Sequence, residues 1–157
     1  MVRWLDDEEQ RAWRAILRAS HLMTLIMEEA LDEFEVSLGE YELMSMVSEA
    51  PGGQMRMAEL AHLVVQSRSR VSHTATRLEK RGWVERVRAP QDRRGVVLVL
   101  TAAGQEQLVK LAPVHVGSVR AALIDHVTRE ELVAQGEVMR RVVRATRHRD
   151  DEALDAV

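Results

Sequence analysis

Between Asp7 and Glu35, the apolar residues Trp13, Ile16, Leu17, Met23, Met27, Leu31 and Phe34 recur at spacings of three and four, the period of one buried helical stripe. A long first helix is predicted there. Ser37 offers an N-cap for a second helix whose Tyr41, Leu43, Met44 and Val47 supply its apolar side, and Pro51-Gly52-Gly53 stops it. A short helix follows over 57–64, then a break around Val65 to Ser67, then a second short helix that ends at Gly82. Beyond Gly82 the texture turns to β. Residues 83–88 and the β-branched run 96–100 predict a two-stranded hairpin around the loop APQDRRG. Thr101 caps a further helix carrying Leu108, Leu111, Val119 and Leu123 toward Asp125, with Pro113 set to kink it. Thr128 caps the last helix, with a stripe of Leu132, Val133, Met139, Val142 and Val143, and the tail from Arg147 is expected to fray.

With 157 residues, 46% of them apolar and 30% charged, the chain has the size and composition of one globular domain. No apolar run approaches the roughly 20 residues of a bilayer span, and the acidic start MVRWLDDEEQ lacks the basic head of a signal peptide. The expectation is a cytoplasmic protein without membrane contact. The absence of cysteine excludes disulfides, thiolate metal sites and a cysteine nucleophile. His21, His62, His73, His115, His126 and His148 are scattered without an i, i+4 pair, and there is no G-x-S-x-G or Walker-type loop. Neither an enzyme nor a metal or other cofactor is expected.

Charge changes this picture, because it is unevenly divided. Residues 1–50 hold 4 basic and 12 acidic groups, whereas residues 66–95 hold 9 basic and 3 acidic groups, within a chain of net charge −3. A local cationic face suffices to bind a polyanion, since counterion release depends on nearby charge and not on the total. The order helix, helix, turn, basic helix, hairpin is that of a winged helix-turn-helix, and the basic block falls on its second short helix and hairpin loop. On that helix Val71, Ala75 and Leu78 share an inward face, leaving Arg70, His73 and Arg77 on the outward one. Ser67 is placed to cap it, with Ser69 and Ser72 on the first turn suited to phosphate oxygens and Arg68 a further candidate for DNA contact. Arg70 and His73 are candidates for base edges, and Arg77, further back, for phosphate. In the hairpin loop the Asp92 carboxylate can hold Arg94, which with Arg93 would suit a narrow minor groove. The alternative is a helical interaction module whose basic face binds an acidic protein.

The stretch from MAELAHLVVQSRSRVSHTATRLEKRGWVERV through DRRGVVLVLTAAG resembles the MarR family of bacterial transcription regulators. Asp92 and Arg94 supply its D-x-R pattern, Leu100, Thr101 and Gly104 its L-T-x-x-G, and Ser69, Val71, Ser72, Leu78, Glu79 and Gly82 its recognition-helix pattern. Arg56 stands where such proteins often carry a capping serine or threonine, and His73 replaces a frequent arginine. The resemblance implies a mainly α chain with a small β-hairpin wing: a single unit over 1–157, with dimerisation helices near 7–35 and 102–147 around a winged helix-turn-helix near 37–101. It implies a homodimer on a pseudo-palindromic operator of double-stranded DNA, more often a repressor, released by a small ligand. For a pocket where dimer helices meet the DNA-binding lobe, Trp13, His21, Tyr41 and Met44 are the candidate lining, suited to an aromatic or phenolic effector.

Overall fold

The computed structural model describes the backbone of residues 1–89 and 92–154, and the side chains of 1–89 and 95–146. Helix α1, Asp7–Asp32, starts in a capping box: the Asp6 carboxylate accepts from the Glu8 and Glu9 N–H groups while the Glu9 side chain returns to the Asp6 N–H. Helix α2, Leu38–Glu49, repeats the device with Ser37 and Glu40. A 3₁₀ turn at Pro51–Gly53 leads into strand β1, Gln54–Arg56, and helix α3, Met57–Leu63. Helix α4, Arg68–Lys80, is capped by Ser67, whose hydroxyl accepts from the Arg70 N–H at 3.2 Å. Strands β2, Val84–Ala89, and β3, Asp92–Leu100, precede helix α5, Ala102–Ala122, and helix α6, Arg129–Leu154.

Three expectations need correction. The sheet has three strands in the order β1-β3-β2, not two, because Gln54, Met55 and Arg56 pair antiparallel with Val99, Leu98 and Val97. Three residues carry no readable period, and this strand exists only through a partner some forty positions on. The hairpin loop is shorter than read, since β3 begins at Asp92 and pairs it with Ala89 across a bulge. The last helix continues to Leu154 where fraying was expected from Arg147, as a run with no proline or glycine permits. Pro113 lies within α5, which continues through it to Ala122.

Contacts divide the chain into two compact units, Met1–Val119 and Arg120–Val157. The core lies in the first, where Leu31, Leu43, Met44, Val47, Leu60, Val71, Leu78, Leu98 and Leu111 are fully buried. In the second, Thr128 and Glu131 form another reciprocal cap at the start of α6.

The end of α4 explains part of the sequence pattern. Gly82, at φ 73°, closes the helix with its N–H on the Glu79 carbonyl and the Trp83 N–H on the Leu78 carbonyl, a Schellman arrangement that requires a left-handed residue. The Thr101 hydroxyl then donates to the Gly82 carbonyl at 2.7 Å and accepts from the Gly104 N–H at 3.0 Å. A Cβ on Gly104 would stand 2.0 Å from the Trp83 carbonyl oxygen, so only glycine lets α5 start against this turn. Between α3 and α4, exposed Val65 takes the left-handed position at φ 53°, with the Gln66 N–H returning to the Ala61 carbonyl. A β-branched residue there is strained, and the tight turn imposes it.

Candidate nucleic-acid interface

Burial of Val71, Thr74, Ala75 and Leu78 fixes which side of α4 faces water. Ser67, Arg68, Ser69, Arg70, Ser72 and His73, at the cap and first turns of α4, are all exposed. The side chains of Arg68, Arg70 and His73 make no hydrogen bond or ion pair among the described residues. They are exposed cationic or polar groups at the N-terminal end of a capped helix.

Arg77 is different. Its Nε donates to Glu40 Oε1 at 3.1 Å and a terminal nitrogen reaches Thr74 Oγ1 at 3.5 Å. The Glu40 side chain is 4% exposed and that of Arg77 54%. Burial alone would raise the Glu40 pKa, but the Ser37 N–H, the Arg77 guanidinium and the Ser37 hydroxyl outweigh it and hold the carboxyl below its usual range. The first role of Arg77 is therefore to tie α4 to the start of α2, and the phosphate role read from the sequence is left to a side chain already committed elsewhere. Arg81 is committed too: it donates to the Glu35 carbonyl, on the left-handed turn that follows α1, and stacks over Trp83 at 4.8 Å.

The wing residues Asp92, Arg93 and Arg94 have their backbones in β3, but their side chains lie outside the described residues. A cleft of about 630 Å³ separates the first turns of α3 and α4 from the wing strands, and Arg56, Arg68 and Arg86 rim it with Ser72 and Val96. Arg56 does not cap α3 with its side chain. Arg86 escaped the sequence reading, because one arginine in a strand resembles ordinary solvated polarity until its partners on α4 are visible.

The four candidate effector residues are not brought together as one lining. Trp13 is 52% exposed on α1 and His21 is exposed as well, whereas Tyr41 and Met44 belong to the packed core. On α2 the apolar residues at helical spacing pack into the interior, where Tyr41 stacks on His115 with centroids 4.3 Å apart. Burial lowers the His115 pKa, and its Nδ1 has no hydrogen-bond partner among the described residues. Among the described residues no cluster of three or more potential metal ligands occurs, and no helix is long and apolar enough to cross a membrane.

The geometry of a capped, cation-bearing helix beside a small antiparallel wing has close counterparts. The sequence profile of the MarR family matches residues 36–96. AbsC, a MarR family transcriptional regulator from Streptomyces coelicolor, is 39% identical and superposes with a TM-score of 0.89, over 94% of this chain and 99% of that one. Sco3205, a MarR family transcriptional regulator from the same organism solved in complex with DNA, is 39% identical with a TM-score of 0.88, over 92% of this chain and 91% of its own. The HTH-type transcriptional regulator YdcH of Bacillus subtilis is 32% identical over 87 residues, which span 54% of this chain and 59% of that relative.

Proposed function

The chain belongs to the MarR family of transcriptional regulators, and from that premise we propose that it binds double-stranded DNA sequence-specifically in the cytoplasm, as a homodimeric, ligand-responsive repressor. The observation that carries this reading is the row of exposed Arg68, Ser69, Arg70, Ser72 and His73 along one side of α4, with the opposite side locked into the core. A major groove admits one helix of this kind. Arg70 and His73 then meet base edges, while Ser67, Arg68, Ser69 and Ser72 hold phosphates. The wing carries Arg93 and Arg94 toward the adjacent minor groove, with Asp92 to orient them.

Dimerisation is supported by α1, on which Trp13, Ile16 and Leu17 remain exposed although their spacing is that of a buried stripe. A two-fold dimer would set the two recognition helices about 34–36 Å apart, on successive faces of the major groove. An aromatic or phenolic effector that releases the operator completes the reading.

Fluorescence anisotropy against duplexes selected from a random library tests it. We expect affinity to fall steeply and linearly on a log–log plot against salt, the selected duplexes to share an inverted repeat, and Arg70→Ala to relax preference at one position of each half-site. Binding that ignores salt, or selection that returns no shared sequence, would sink the proposal.

A further inference from the structure

We infer that Arg86 is a positioning residue for DNA recognition, locking wing strand β2 to recognition helix α4 so that both enter their grooves in one fixed register. The inference rests on the DNA-binding reading above. Arg86 pairs with Leu98 of β3 in the middle of the wing ribbon. Its Nη1 donates to Glu79 Oε2 at 2.6 Å, and its backbone N–H donates to the other oxygen of the same carboxylate at 3.1 Å. Its Nη2 donates to the Ser72 carbonyl at 2.6 Å and to Thr76 Oγ1 at 2.9 Å. One guanidinium thus grips α4 from residue 72 to residue 79, about two turns.

The placement of this grip suggests what it is for. Ser72 and His73 lie on the exposed face of α4, so the clamp holds the backbone of the segment that offers its side chains to DNA. Three residues beyond Arg86, Ala89 pairs with Asp92, where the wing sequence Asp92-Arg93-Arg94 begins. Arg86 therefore joins the two DNA-facing elements across the cleft by direct bonds. The Arg86 side chain is 24% exposed, so these charge-assisted bonds are partly sheltered from solvent. Because both Nη1 and Nη2 donate to α4, its charge is directed at that helix first. Lysine could not substitute, since one ammonium reaches either Glu79 or Ser72, whereas the planar fork reaches both.

The test compares wild type, Arg86→Gln and Arg86→Lys by anisotropy on a duplex selected by the wild-type protein and on a random duplex, each through a salt titration and with thermal melting alongside. For Arg86→Gln the selected duplex should lose about tenfold or more in affinity, the scale of one lost base contact, while the random duplex changes by less than about threefold and the salt slope stays constant. Arg86→Lys should not restore the preference. A salt slope lower by about one, with both duplexes weakened alike, would make Arg86 a phosphate contact and overturn the inference. Full recovery in Arg86→Lys would overturn it as well. If Arg86→Gln fails to fold, Thr76→Val removes one partner of Nη2 and should cost about threefold in preference; no loss there overturns the clamp. Wild-type protein that binds neither duplex overturns the DNA-binding reading along with this one, whereas wild type that binds beside a variant with intact preference overturns this one alone.

Discussion

Helix α1 and helix α4 carry the same kind of amphipathic pattern and meet opposite fates. In α4, 13 residues long, four are buried by the chain's own α2, α3 and wing. In α1, 26 residues long, only Leu31 is buried. Trp13 stays 52% exposed and Ile16 48%, on a stripe as regular as that of α4. Periodicity states that a face is to be covered and leaves open by what. For α4 the cover lies in the same chain, whereas most of α1 is left uncovered by the described residues. Each large apolar side chain fully covered contributes on the order of 1.5–3 kcal/mol, so a stripe of this length is a strong driving force for association.

The sharpest way to break this contrast is Trp13→Asp combined with Ile16→Asp. We expect a monomer in sedimentation at micromolar concentration, with far-UV circular dichroism retaining its helical signal. Losing the second half-site should weaken operator binding by about a hundredfold or more. A double variant that remains dimeric would show that this stripe is not the association surface.

Gly104→Ala attacks the self-sufficient side of the comparison. The new methyl would meet the Trp83 backbone at 2.0 Å, and a carbonyl oxygen held by Thr101 has nowhere to move. Overpacking of this kind costs about 3 kcal/mol, and the loss should be read in urea unfolding at every protein concentration, unlike the concentration-dependent loss from α1. An unchanged midpoint would mean that α5 can shift without penalty.

Much of the DNA-binding lobe is legible in the sequence, because its signals are local. Ser67 before Arg68, Gly82 after the basic helix, and the Ser37 to Glu40 spacing each announce a helix end within four residues, and each cap is formed. The Asp6 to Glu9 capping box has the same local signature. Signals that depend on distant partners stay silent. Strand β1 exists only because Val97, Leu98 and Val99 lie beside it, and Arg86 acquires meaning only against Glu79 and Ser72. The same limit applies to Arg77 and to the inner half of the effector lining. Charge on a helix face looks alike whether it faces solvent or a buried Glu40, and Met44 looks alike in a pocket or in a core.

Glu40→Gln probes that last ambiguity with a smaller effect. Glutamine preserves the shape but removes the ion pair with Arg77, and because Arg77 is half exposed the cost should be about 1–2 kcal/mol near neutral pH. The Glu40 carboxyl is held below its ordinary value in the folded chain, so the stability it contributes is present above the unfolded pKa, about 4.3. It is lost as pH falls through the folded value. The gap between wild type and Glu40→Gln should therefore narrow as pH falls below about 4.3. A gap that stays constant across that range would mean the carboxylate charge contributes nothing.

The smallest effect is expected at His115, where the interior departs from full satisfaction. Its Nδ1 has no partner among the described residues while its ring stacks on Tyr41. His115→Phe keeps a ring against Tyr41 and deletes the orphaned nitrogen, and replacing an unsatisfied buried polar atom by an apolar one is close to neutral. We expect a change within about 1 kcal/mol at pH 7.5. Burial lowers the pKa of this imidazole, so in the wild type the unfolded chain takes up a proton near pH 6.5 that the folded chain refuses. Stability then declines as pH falls below that point and continues to do so down to the folded value. Urea unfolding at pH 7.5 and 5.5 should show this decline in wild type and a shallower one in His115→Phe. Equal declines in both proteins would show that the imidazole accepts its proton as readily in the folded chain as in the unfolded one.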